Sequence, residues 1–309
     1  VSTFDATTSP PTNRAESIAQ PIGRALLAWG VLCGGIAFAV TVGRALGEEF
    51  ALPQAAVAII QAVLTSALVV PTIVLMRRKL DRGSMRGLGL SRSIARPALI
   101  GAAVGLGLGV AVWVPAALLG WISIGSVHPY DVGVFLVMNA LVLLLYEAIP
   151  EELALRGYAW THLSERWMPL VATLAVTAIF PLSSALISVF AALASRVVGI
   201  QSEGVFLVPP GNDPIAYGLQ LVFFGLALGA ARRIPVEGAL TIAMVFHLCQ
   251  LTVNRLLLGG TGWLYSGVAV RFIAPEAIAL VLVHIALSGL AFVLIRKRIE
   301  RRRESSRAA

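Results

Sequence analysis

Charge is what this chain has least of. Aspartate, glutamate, lysine and arginine make up 13% of its 309 residues, about half the share of an ordinary soluble domain. The 58% that is hydrophobic is more than one soluble core can bury, so a water-soluble globule is excluded. Cysteine is nearly missing as well. Cys33 and Cys249 both lie in apolar runs, which rules out a disulfide framework and a paired-thiol metal motif and leaves packing roles. The chain has no H-E-x-x-H pair and no nucleotide-binding glycine loop. We find no internal repeat and no appended soluble domain. Lysine supplies only two of the 24 basic residues, a bias that fits a bacterial genome rich in G and C.

What is present is apolar sequence in lengths that cross a bilayer. About 20 such residues span the roughly 30 Å hydrocarbon layer as a helix. Eight spans are expected, at 25–47, 54–76, 97–121, 133–149, 169–199, 214–231, 235–258 and 274–295. The fold class is an all-α polytopic membrane bundle, with a polar tail over 1–24, a membrane domain over 25–298 and a basic tail over 299–309. The net charge of +8 does not point to nucleic acid, because it lies beside the spans. The loop RRKLDRGSMRGLGLSRSIAR and the tail RKRIERRRESSRAA carry seven basic residues each, and 20 of the 24 fall on one side of the eight-span arrangement. The positive-inside rule makes that side, with both termini, cytoplasmic. The expected location is the cell membrane, multi-pass, in a bacterial plasma membrane, with membrane lipids as partners. Pro181, followed by Ser183 and Ser184, falls near the middle of the overlong 169–199 span and predicts a kink or break. In GAAVGLGLGV, small residues allow close helix approach.

One stretch breaks the hydrocarbon pattern: YEAIPEELALRGYAW, residues 146–160. Pro150 predicts that the fourth helix kinks or restarts there, placing Glu151 and Glu152 in a new first turn where the helix dipole favours anions. Glu152 and Arg156 stand at i,i+4, the favourable order for an ion pair. On an unbroken α-helix Glu147 and Glu151 share a face, where like charges repel and one carboxylate becomes a general-base candidate. A capped interfacial helix and a catalytic cluster both remain open on these grounds.

The segment PEELALRGY resembles the first motif, E-E-x-x-x-R followed by glycine, of the CAAX protease and bacteriocin-processing (Abi) family of intramembrane peptidases. The similar region runs over about 135–258, and His247 takes the position of the family's last histidine. Two departures stand out. The middle motif, F-x-x-x-H, reads FPLSS, with Phe180 in place and Ser184 where histidine belongs. The third, H-x-x-x-N, reads HLCQL, with Leu251 in place of asparagine. Gln250 and Asn254 lie on roughly the same helical face as His247, where an amide can substitute.

The resemblance implies that Glu151 activates water, His247 polarises the peptide carbonyl, and Glu152 pairs with Arg156 to hold the helix. Glu147, Ser184, Gln250 and Asn254 take supporting places. The implied substrate is a membrane-associated or CAAX-type peptide or membrane protein, cleaved near the cytoplasmic face. The alternative is a decayed member acting as a scaffold, immunity or protein-maturation factor. The resemblance implies no certain cofactor. A divalent metal such as zinc would rest on the generic trio Glu151, Glu152 and His247. His284, with Ser288 one turn later, reads as a buried histidine with a local partner.

Overall fold

The computed structural model describes residues 14–308. Residues 1–13 of the expected polar tail, and Ala309, lie outside the described residues. Nine helices dominate the described residues: α1 (Arg14–Glu49), α2 (Gln54–Leu75), α3 (Ala95–Leu118), α4 (Pro129–Ser164), α5 (Pro169–Ile179), α6 (Ser183–Val198), α7 (Pro214–Arg232), α8 (Ala239–Leu257) and α9 (Leu280–Ala308). Among the described residues seven segments are long and apolar enough to cross a membrane, and α5 with α6, bent by 45°, make an eighth if the pair is one span. The break falls between Ile179 and Ser183, where Pro181 predicts it. The chain is therefore a polytopic all-α membrane protein. Residues 14–24, read from sequence as tail, already belong to the first helix.

The two ends of the bundle differ in charge. At one end the buried Asp81 carboxylate accepts from Tyr158 Oη and His162 Nε2, both at 3.0 Å, and lies 3.4 Å from Arg24 and 3.7 Å from Arg77. Arg303 Nη2 of the C-terminal helix donates to Pro235 O at the same end, at 2.6 Å. Both basic clusters thus share one end, as the span arrangement requires. The opposite end carries two short antiparallel ribbons: β1 (Ile122–Val127) with β4 (Val268–Phe272), and β2 (Gly260–Thr261) with β3 (Leu264–Tyr265). No strand was expected there, because the strands are short and β1 is interrupted between Ile124 and Val127.

The fourth helix corrects the sequence reading. It does not restart at Pro150 but runs unbroken for 36 residues. Two π segments, Leu144–Ala148 and Glu152–Ala159, flank the proline. In the π register a residue bonds to the carbonyl five before it, as Ile149 N–H does to Leu144 O. Proline at 150 has no N–H for Leu145 O, and that carbonyl accepts instead from Ser66 Oγ of α2 at 2.5 Å. In the second segment Arg156 O accepts from Arg232 Nε at 3.0 Å. Neighbouring helices thus replace the missing bonds, and the proline is absorbed without a break.

α3 lies against α8 through a row of glycines. A Cβ on Gly101 would stand 2.6 Å from Ile242 O, and one on Gly105 2.9 Å from Cys249 Cβ. Only a bare backbone allows this approach. Because the atom met at Gly101 is backbone, Gly101→Ala is expected to destabilise the bundle by about 1–3 kcal/mol and to lower the thermal midpoint in detergent. Gly107→Ala, which meets nothing within 4 Å, is expected to leave that midpoint unchanged or slightly raised.

Candidate active site

The chemistry-bearing residues come together between the π segments of α4 and the middle of α8. Glu152 is fully buried and Arg156 and His247 are each 1% exposed. Glu152 Oε1 accepts from Arg156 Nη1 and from His247 Nδ1, both at 3.1 Å. A carboxylate only accepts, so Nδ1 carries a hydrogen and the ring is oriented with Nε2 pointing away. Nε2 has no hydrogen-bond partner among the described residues, and Glu147 Oε2 is the nearby carboxylate oxygen, at 3.8 Å. Phe224 packs edge-on against the imidazole with ring centroids 4.8 Å apart. Phe180, the aromatic of the expected middle motif, lies over the Arg156 guanidinium at 4.6 Å. That cation–π contact shields the buried arginine from the other side.

The π register decides which glutamates meet the histidine. In an α-helix, residues at i and i+4 share a face, which is the basis for pairing Glu147 with Glu151. The widened turns bring i and i+5 together instead, and Glu147 and Glu152 are the pair on His247. Glu151 makes no hydrogen bond or ion pair among the described residues. Glu147 is tied down at its other oxygen: Arg255 Nη2 donates to Oε1 at 2.6 Å. Arg255 Nη1 donates to Asn139 Oδ1 at 3.2 Å, and Asn139 Nδ2 to Thr252 Oγ1 at 3.0 Å.

The remaining candidates spread out. Ser184 Oγ is 2.5 Å from Tyr217 Oη of α7, and Ser183 Oγ accepts from Trp29 Nε1 at 2.9 Å. Gln250 is fully buried, and neither of its amide atoms has a partner among the described residues. Asn254 does not reach His247; its Oδ1 lies 3.5 Å from His284 Nδ1, while His284 Nε2 donates to Gly105 O at 2.9 Å. His284 therefore meets one side chain and one backbone carbonyl, on two other helices. Ser288, its expected companion, bonds only the His284 carbonyl, at 2.8 Å. Among the described residues no group of three or more His, Cys, Asp or Glu is placed to hold a metal ion.

Sequence reasoning missed Arg255, Asn139, Tyr217 and Phe224. Arg255 and Asn139 were findable as polar residues inside apolar spans, which usually have partners. Tyr217 and Phe224 carried no signal apart from their helix.

Residues 133–253 match the family described as type II CAAX prenyl endopeptidase Rce1-like. No curated protein and no solved structure matches the chain. The matched stretch begins on α4 and ends on α8, so it contains the whole Glu147–Glu152–Arg156–His247 cluster. That stretch is what is similar to the CAAX prenyl endopeptidases, and it covers well under half of the chain.

Removing Arg156 leaves the Glu152 carboxylate buried beside a single neutral or cationic ring. Arg156→Ala is expected to cost about 3–5 kcal/mol, measured as lost yield and a lowered unfolding midpoint in detergent. Wild-type yield and midpoint would remove the ion pair from any structural role.

Proposed function

We propose that the chain is an integral membrane endopeptidase that hydrolyses an amide bond of a membrane-associated or CAAX-type peptide, with Glu151 as the water-activating base. The observation that carries this reading is the contrast among three neighbouring carboxylates. Glu147 is bonded to Arg255, and Glu152 to Arg156 and His247, whereas Glu151 has no partner among the described residues. A carboxylate already engaged by a guanidinium is a poor proton acceptor. An unengaged one close to an oriented imidazole suits general-base catalysis.

In this reading Glu152 and Arg156 hold the ring, and His247 Nε2 polarises the carbonyl as charge develops on its oxygen. The Ser184–Tyr217 hydroxyl pair stands at the middle-motif position, and Gln250 supplies the spare amide beside His247. Both termini are cytoplasmic and the membrane is a bacterial plasma membrane, in keeping with the positive-inside rule.

One observation favours a second reading, in which the site has decayed and the protein serves as a scaffold, immunity or maturation factor. The hydroxyl at position 184 is bonded to Tyr217, and a hydroxyl is a weak base where the family carries an imidazole.

Purified protein is expected to cleave members of a peptide library, and Glu151→Gln to lower that rate by about 10²–10⁴-fold. Glu147→Gln, whose carboxylate is already held by Arg255, is expected to lose far less. Equal cleavage by wild type and Glu151→Gln would remove Glu151 from the mechanism. No cleavage by either, with both proteins folded, would favour the decayed reading.

A further inference from the structure

A cavity of about 1150 Å³ reaches Glu147 at the edge of the site, and it does not open at the basic end. Its floor is Glu147 and Arg255, and its rim is the α1–α2 turn, the irregular 199–213 stretch and the β2–β3 turn with Trp263. All three rim elements lie at the ribbon end, opposite Asp81 and Arg303. The opening is therefore at the ribbon end.

The wall is polar. Arg44, Glu48, Glu147, Glu203 and Arg255 all line it. Seating a prenyl or acyl chain there would desolvate these groups without giving them partners, which is unfavourable. A peptide backbone offers a donor and an acceptor at each residue and meets such a wall with matching bonds.

The rim is also latched. Arg44 Nη1 lies 3.3 Å from Glu203, and Arg44 Nη2 donates to Gln201 O at 3.3 Å and lies 3.6 Å from Glu48. Deeper in the loop, Ser188 Oγ donates to Phe206 O and accepts from Phe206 N, both at 3.1 Å. The loop is thus anchored inside the bundle at Ser188 and held at the rim by an exposed ion pair, a class of contact that contributes little to stability. Its rim can part while its base stays fixed.

We infer that the substrate is an unlipidated, polar peptide segment presented on the extracytoplasmic side, entering past the Arg44–Glu203 rim towards Glu147 and His247. This rests on the peptidase reading for what happens to the peptide, but not for where the cavity opens.

The test uses the full chain with Cys33→Ala and Cys249→Ala, carrying one new cysteine: Gln54→Cys or Asn212→Cys at the rim, or Ser93→Cys in the basic loop. Each is treated with a membrane-impermeant maleimide in right-side-out and inverted vesicles. Labelling of either rim cysteine in right-side-out vesicles, and of Ser93→Cys only in inverted ones, is the expected result. The reverse pattern would overturn the inference.

A charged, unlipidated decapeptide library is then added outside, in the Glu151→Gln background. At ten times its Kd it should slow rim labelling about tenfold, following 1 + [L]/Kd, and the farnesylated form of the same library should do no better. Protection by the farnesylated form alone, or by neither, would overturn the assignment to an unlipidated peptide. Protection without cleavage by the wild-type chain would sink the peptidase reading and leave the opening and its occupant standing.

Discussion

The contact that the rest of the structure depends on is the buried junction of Glu152, Arg156 and His247. A carboxylate and a guanidinium at hydrocarbon depth are tolerable only if each satisfies the other. Here a single Glu152 oxygen takes both the arginine and the histidine at 3.1 Å. That junction fixes the rotation of α4 relative to α8, and the Phe180 ring over Arg156 extends it to the broken α5–α6 span. Three parts of the bundle are registered by one carboxylate.

The junction exists because α4 is partly a π-helix. Wide turns are poor helices by themselves, since their hydrogen bonds are strained and some carbonyls lose their donor. The neighbours supply what is lost: Ser66 to Leu145 O, Arg232 to Arg156 O. Pro150 is then less a helix breaker than the reason the wide register is the best one available. The same shift moves Glu152 onto His247 and leaves Glu151 without a hydrogen-bond partner among the described residues, so a backbone feature separates Glu151 from its two bonded neighbours.

Much of this was legible in the sequence, and the limits have physical causes. Composition and run length gave the membrane bundle, and Pro181 gave the broken span, because these signals are local. The i,i+4 pairing of Glu152 with Arg156 was also local and appears as read. That Glu152 rather than Glu151 joins Glu147 on His247 was not legible, because α geometry was assumed and nothing in YEAIPEELALRGYAW announces a π turn; the donors that stabilise it lie on other helices. Asn254 was assigned to His247 by helical spacing, yet His284, 30 residues on, takes its amide. The side on which the cavity opens depends on how the 199–213 loop and the ribbon turns are arranged, which no periodicity encodes.

The central claim is that Glu152, and not Glu151, is the glutamate in contact with His247. Two double-mutant cycles on unfolding stability in detergent test it directly: Glu152→Gln with His247→Gln, and Glu151→Gln with His247→Gln. Residues in contact show coupling of about 0.5–3 kcal/mol, whereas independent ones add within roughly 0.3–0.5 kcal/mol. Strong coupling is predicted for Glu152 with His247, and clearly weaker coupling for Glu151. Strong coupling of Glu151 with near-additivity of Glu152 would contradict the π-shifted register and the assignment of roles built on it.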